Sequence, residues 1–166
     1  MSRGFVKEDD LEHAGTDLPE RPISPHVNYV TPYGLKQLRD AIEKLESARL
    51  NYVHRKEDPN AQQALAIIDR DLRYFFARLE SARYVDPNHQ PKDTVVFGAH
   101  VKVEDENGES LQFNIVGEDE ADIDQHKVSY VSPIAKALIG KKIGDQAIWQ
   151  RPAGRMTLEI IEINYE

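Results

Sequence analysis

The side chains best able to do chemistry form one short run, Arg55-Lys56-Glu57-Asp58, directly before Pro59-Asn60. Two carboxylates and two cations side by side can meet a charged partner, or can face water as a solvated loop. Asp58 has a local role in either case. An aspartate before a proline is a good helix N-cap, because its carboxylate accepts from the unpaired N–H groups of the first turn. A second acidic run, Glu118-Asp119-Glu120 with Asp122 and Asp124, reads as a solvated loop. Other chemistry is thin. There is no cysteine, hence no thiolate and no disulfide. The histidines are His13, His26, His54, His89, His100 and His126, and no two have metal-ligand spacing on one helix. His54 lies near the charged run, where it could meet a phosphate or a carboxylate or be an ordinary surface residue. Neither a Ser-His-Asp order nor a glycine-rich phosphate loop is present. The expectation is a protein with no catalytic residues of its own, no intrinsic metal and no intrinsic cofactor.

Whatever flanks the charged run must carry it, and both flanks read as helix. Upstream, Leu35, Leu38, Ile42 and Leu45 repeat at steps of three and four, with Arg49 and Tyr52 continuing the spacing. Downstream, Ala61, Leu65, Ile68, Leu72, Phe75, Leu79 and Ala82 do the same. That alternation is the seam of a coiled coil. Thr31-Pro32 supplies an N-cap and first residue for one arm, and Asp58-Pro59 for the other. Proline cannot continue a helix, so the chain turns there and the arms pack antiparallel. Arms on the order of 27 residues would project roughly 40 Å at 1.5 Å per residue. The charged run then sits at the tip of a rod.

From Asp93 the period changes to two. Residues 94–97 and 100–103 read as strands either side of Gly98, Asn107-Gly108 marks a turn, and 110–116 alternates cleanly. Residues 127–131 are a further strand. Ser132-Pro133 caps a short helix over 134–139, which Gly140 ends. Residues 146–150 and 156–163 flank a turn at Pro152-Ala153-Gly154, and Trp149 belongs to the sheet core. The predicted fold class is α+β: an antiparallel coiled-coil hairpin over 31–86, then a small antiparallel β domain with one short helix over 87–166. Residues 1–30, punctuated by Pro19, Pro22 and Pro25, show no period and are expected to be a flexible tail. The alternative is a strap that docks Leu18, Ile23, Val27 and Tyr29 along a folded surface.

The net charge is −8, unevenly spread: residues 31–86 hold ten basic and nine acidic side chains, residues 87–166 eight and fourteen. An acidic protein does not grip duplex DNA alone, because phosphate neutralisation dominates that affinity. A role near nucleic acid therefore goes through a protein partner. No run approaches the ~20 apolar residues that span a bilayer, and the first ten residues lack the apolar core of a secretion signal. Without cysteine a reducing interior is the default, and the cytoplasm is the expected location.

The sheet-forming half carries a resemblance. Val96-Phe97-Gly98-Ala99, Ile115-Val116-Gly117-Glu118-Asp119-Glu120-Ala121-Asp122, Ser132-Pro133-Ile134-Ala135-Lys136-Ala137-Leu138-Ile139-Gly140-Lys141 and Gly144-Asp145 occur in this order and at these spacings. With Thr31-Pro32, Gly34 and Leu38 at the hairpin start and Val85-Asp86 at its end, they resemble the bacterial GreA/GreB transcript-cleavage factors over residues 31–166. The resemblance implies an FKBP-like second domain that holds the rim of the RNA polymerase secondary channel, with Val131, Ser132, Pro133, Ile134 and Ala135 as contact candidates and the run 118–120 as a further polymerase-facing candidate. It implies a coiled coil that enters the channel. Acidic residues at the tip would help hold the second Mg²⁺ of the polymerase, so that the polymerase cuts backtracked RNA itself. Nucleic acid would be met only through the polymerase.

The tip departs from the family's Gly-Asp-x-x-Glu-Asn. Each arm is shorter by about seven residues, one heptad, which keeps the seam in phase and cuts the reach by roughly 10 Å. On that alignment the family's aspartate falls on Asp58 and its glutamate on Ala61, while Glu57 replaces the glycine. One of two carboxylates is missing, and Asp58 is the single candidate Mg²⁺ ligand within the complex. Val131 stands where GreB-type proteins have Asp and GreA-type proteins often Asn. The reading is a GreA/GreB-like elongation factor, a regulator rather than an enzyme, with weak or absent stimulation of cleavage. The alternative is a channel-binding competitor or inhibitor of true cleavage factors. Two other classes remain open. An FKBP-like isomerase or chaperone needs an aromatic-lined pocket, and few aromatics are available (Phe97, Phe113, Tyr130, Trp149, Tyr165). A structural rod would self-associate, whereas a monomer is expected here.

Overall fold

The computed structural model describes residues 18–55 and 57–165. They divide into two compact units, one of residues 18–27 and 35–82, the other of residues 28–34 and 83–165.

The hairpin is made by α1 (Pro32–Leu50) and α2 (Pro59–Ser81). Leu38, Ile42 and Leu45 on α1 and Ala61, Ile68, Leu72 and Phe75 on α2 are buried, as the three-four spacing predicts. Arg49 Nε donates to Asp69 across the pair at 2.7 Å. The arms are shorter than expected, at 19 and 23 residues, or about 28 and about 35 Å at 1.5 Å per residue. The chain leaves α1 through tight bonds from Asn51 N to Ala48 O and Tyr52 N to Arg49 O. Asn, Tyr, Val and His at 51–54 are all weak helix formers, so the arm ends before the tip and Tyr52 leaves the seam.

On α2, Ile67, Arg70, Asp71 and Arg78 are buried as well, off the seam. Glu20 and Arg21 explain part of this. The Arg21 guanidinium lies 4.0 Å from the Tyr74 ring centroid and donates to Asp71 at 3.3 Å. Arg73 donates to both oxygens of Glu20, at 2.9 and 2.5 Å. Glu20 and Arg21, expected as part of a flexible tail, are thus held on α2, and of the expected strap anchors Tyr29 packs between Phe97 and Tyr130. Ile23 and Val27 stay 50% and 39% exposed. A search for apolar anchors misses a strap fastened by ion pairs and a cation–π contact. The Arg73 hydrogen bonds keep the Glu20 carboxyl below its ordinary range. This tether is present above the ordinary carboxylate range and is lost as pH falls through the lowered value. Residues 1–17 of the expected tail lie outside the described residues.

In the second unit, β1 (Tyr29–Val30) pairs in parallel with β2 (Arg83–Tyr84). β1 leads into α1 and β2 follows α2, so this pair joins the two ends of the hairpin. The main sheet has β3 (His100–Glu104), β4 (Ser110–Val116), β5 (Lys127–Ser129), β6 (Gln146–Arg151) and β7 (Gly154–Asn164), in the order β5-β4-β3-β7-β6. It is mixed rather than antiparallel, because β5 runs parallel to β4. A parallel neighbour needs a crossover. Residues 117–126 supply it in two short 3₁₀ turns, closed by His126 at a φ of 61°.

The strand expected at 94–97 does not form. Val95 bonds to Lys141 and Gly140, Val96 N to the Tyr165 hydroxyl and Gly98 N to Ile115 O, so its backbone groups go to different neighbours and no ladder develops. The core gathers Val101, Val103, Ile115, Leu158 and Ile160 from the sheet under Leu138 of α3 (Pro133–Leu138). Trp149 packs on its margin, its ring 5.7 Å from Phe113.

Tyr165 ties segment 94–96 down: its hydroxyl accepts from Val96 N at 2.9 Å and donates to Thr94 O at 2.5 Å. Tyr165→Phe should cost about 1–2 kcal/mol in urea unfolding at pH 8. Burial raises the Tyr165 hydroxyl above its ordinary 10.0, against the lowering effect of the Val96 bond. The unfolded chain therefore ionises first, and stability should fall as pH rises above 10, less so in the Phe variant.

Candidate functional site

Residues 51–55, 57 and 58 form the described part of the tip. Asp58 is the N-cap of α2, its Oδ1 accepting from Asn60 N at 3.0 Å, with Pro59 next. Its carboxylate is therefore oriented by the first turn of α2. Glu57 and His54 are exposed, and the Arg55 guanidinium sits 5.3 Å from the Tyr52 ring centroid. Ala61 is only 1% exposed and belongs to the seam. Even a longer side chain there would start inside the hairpin. The tip thus displays Glu57 and a capping Asp58; Lys56 lies outside the described residues.

At the start of α3, Ser132 Oγ accepts from Ala135 N at 3.3 Å and donates to Ser129 O at 2.6 Å. Val131 N donates to Ser129 Oγ at 3.2 Å. This knit turn leaves Val131 and Ser132 half-buried and Pro133 exposed. Ile134 and Ala135 face the core, so they fix the helix and show no side chain to a partner. Ile139, just after α3, and Ile148, on the strand that α3 packs against, are exposed. Strand alternation in β6 puts Ala147 inward and Ile148 outward.

The acidic run is not simply a solvated loop. Glu120 is 6% exposed. It accepts the Thr31 hydroxyl at 2.5 Å, and its other oxygen lies 3.5 Å from Lys127 Nζ. That ammonium sits 4.0 Å from the Tyr33 ring centroid. Thr31 Oγ1 also accepts from Gly34 N at 3.0 Å, the N-cap bond expected of Thr31. A cleft of about 310 Å³ opens beside this cluster, lined by Pro87, Phe97 and Val116. The sequence does hold a signal for the cluster. Thr31-x-x-Gly34 has the cap of a capping box but a glycine where the box carries a glutamate. Glu120 brings a carboxylate to the same turn from elsewhere in the chain, but accepts from the Thr31 hydroxyl rather than from the cap's backbone N–H.

Among the described residues no three His, Asp or Glu side chains gather as a metal site. No helix among them is long and apolar enough to cross a membrane.

Residues 90–165 match the family described as "Transcription elongation factor, GreA/GreB, C-term". The transcription elongation factor GreA of Halorhodospira halophila is 44% identical over 108 residues, 64% of this chain and 68% of that protein. The transcription elongation factor GreB of Neisseria meningitidis serogroup B is 33% identical over 153 residues, 83% of this chain and 94% of that protein. A solved prokaryotic transcription elongation factor GreA/GreB from Nitrosomonas europaea aligns with 83% of this chain and 99% of its own, at 24% identity and a TM-score of 0.42.

Proposed function

Because the chain belongs to the GreA/GreB family of transcription elongation factors, we propose that it binds RNA polymerase at the secondary channel and modulates elongation while giving little transcript cleavage. The sheet unit holds the rim, with Val131, Ser132 and Pro133 at the contact. The hairpin enters the channel and brings Glu57 and Asp58 toward the active site. The protein works as a monomeric regulator in the cytoplasm, without catalytic residues of its own, and meets nucleic acid only through the polymerase.

The tip carries this reading. Two-metal hydrolysis needs both ions placed, and Mg²⁺ in such sites takes one or two carboxylates plus water and phosphate oxygens. On the alignment that shortens each arm by one heptad, the position of the family's second carboxylate is taken by Ala61, which is buried in the seam. Asp58 is left as the Mg²⁺ ligand of the complex, with one oxygen already capping α2. Occupying the channel without a complete pair would also make the protein a competitor of cleavage-competent relatives.

The test is retention of core RNA polymerase by the tagged chain, then RNA 3′-end shortening in stalled complexes. Retention is expected, with cleavage at least tenfold slower than a cleavage-competent relative gives, and slower cleavage by that relative when this chain is in excess. Asp58→Asn is the informative variant: asparagine caps as well as aspartate but carries no charge, whereas Asp58→Ala also loses about 1 kcal/mol of helix capping. Rapid shortening that Asp58→Asn abolishes would overturn the weak-cleavage reading. No retention of polymerase would overturn all of it.

A further inference from the structure

We propose that the cleft of the second unit is a binding site for a small organic anion, a carboxylate or a phosphate monoester carried on a flat apolar body. This site is separate from the function proposed above and does not depend on it. Every residue that lines the cleft belongs to the second unit.

The floor of the cleft is a polar row across three strands. His100 of β3 stands opposite Asn114 of β4, and Asn114 is paired in turn with Lys127 of β5. Partners in register share a face of the sheet, and neighbouring strands lie about 4.8 Å apart. The next residues along, Val101 and Ile115, are in the core. Alternation therefore turns the row toward the opposite face, where the cleft lies. All three side chains belong to half-buried residues. Among the described residues, neither the His100 ring nor the Asn114 amide has a hydrogen-bond partner, so both are left to water or to a ligand.

Lys127 supplies the charge. Its ammonium is 3.5 Å from Glu120, longer than the ~2.7–2.9 Å of a tight charge-assisted bond. Its other contact is the Tyr33 ring. An ammonium carries three donors, so capacity remains for an incoming oxygen. The Glu120 carboxylate is spent by comparison: one oxygen accepts the Thr31 hydroxyl, the other faces Lys127, and the side chain is 5% exposed against 16% for Lys127. The cleft thus presents the cation and withholds the carboxylate. Pro32 and Tyr33, the first residues of α1, also line it and bring the partial positive charge of a helix N-terminus. The walls are flat and apolar, from Tyr33, Phe97 and Pro87. A volume of about 310 Å³, apolar walls and a few placed polar groups are the make-up of a site for a small molecule.

The test is a titration of the full, isotope-labelled chain, followed by NMR, with phenyl phosphate and with benzoate. Inorganic phosphate, benzyl alcohol and benzylamine are the comparisons. Saturable shifts are expected at the Asn114 side-chain amide and the Lys127 backbone amide. The better of the two aromatic anions should bind at least tenfold more tightly than any comparison, and which of them it is tells a phosphate ester from a carboxylate. Lys127→Gln should weaken that binding at least tenfold and Asn114→Leu at least fivefold, with circular dichroism showing that each variant is folded. Should Lys127→Gln, which leaves Glu120 without its cation, fail to fold, Asn114→Leu decides alone, since its side chain lies off the core. No saturable shift with either anion overturns the site, as does unchanged affinity in the folded variants. Benzylamine binding as tightly as the anions would overturn the charge assignment. Inorganic phosphate binding as tightly as phenyl phosphate would mean an adventitious ion only, and would overturn the role of the apolar walls. If polymerase does not retain the parent, the proposed function falls while the titration still decides the cleft.

Discussion

Asp71→Ala is expected to lower the unfolding free energy by about 3 kcal/mol, measured by urea denaturation of the full chain. The Asp71 side chain is 4% exposed, and its Oδ1 accepts from Arg70 Nε at 3.0 Å, from Arg70 at 2.8 Å and from Arg21 at 3.3 Å. Removing it takes away a charge that both guanidiniums face, one of them only 7% exposed. Asp69→Ala is the control. Its pair with Arg49 is 37% and 41% exposed, and exposed pairs contribute under about 1 kcal/mol. Arg21→Ala should fall between the two, since it loses a half-screened ion pair and the contact with Tyr74. Equal unfolding midpoints for Asp71→Ala and Asp69→Ala would show that the buried carboxylate does not fasten the strap.

Gly117→Ala is expected to cost at least about 2 kcal/mol and to loosen β1 selectively. The new methyl would lie 2.3 Å from Tyr29 O, a backbone atom. That strand has little freedom to retreat. Arg83 N donates to Asn28 O at 2.8 Å and Val85 N to Val30 O at 3.0 Å. The Tyr29 ring is packed between Phe97 and Tyr130, with centroids 5.6 and 5.4 Å away. Hydrogen exchange gives the local readout: the Arg83 and Val85 amides should lose protection in Gly117→Ala. They should keep it in Gly108→Ala, where the φ of +79° is strained but nothing lies within 4 Å of the new methyl. Protection unchanged in Gly117→Ala would mean that the crossover, not β1, gives way.

The seams of both helices, the caps at Thr31, Asp58 and Ser132, and the β-hairpin turn at Asn107-Gly108 are written in local spacing. Each depends on residues within a turn or two of one another, so one stretch of sequence suffices to see it. Arm length was less visible. Tyr52 keeps the three-four phase, yet residues 51–54 favour a tight turn, and phase says nothing about propensity. At the tip, Glu57 and Asp58 were legible as charges and Ala61 as the first seam residue of α2, which is where it lies.

Local pattern settled most of the elements, a helical rod with a charged end and a small sheet with one short helix, but not the short β1–β2 pair or the irregular segment 94–97. Long-range contact decided the rest. The parallel placement of β5, the strap on α2 and the inward turn of Glu120 each join residues about ten to ninety positions apart. No periodicity records such pairings, because an ion pair or a buried carboxylate is indistinguishable in sequence from a solvated charge. Only the fold brings Glu120 against Thr31, and so takes one carboxylate of an acidic loop out of water.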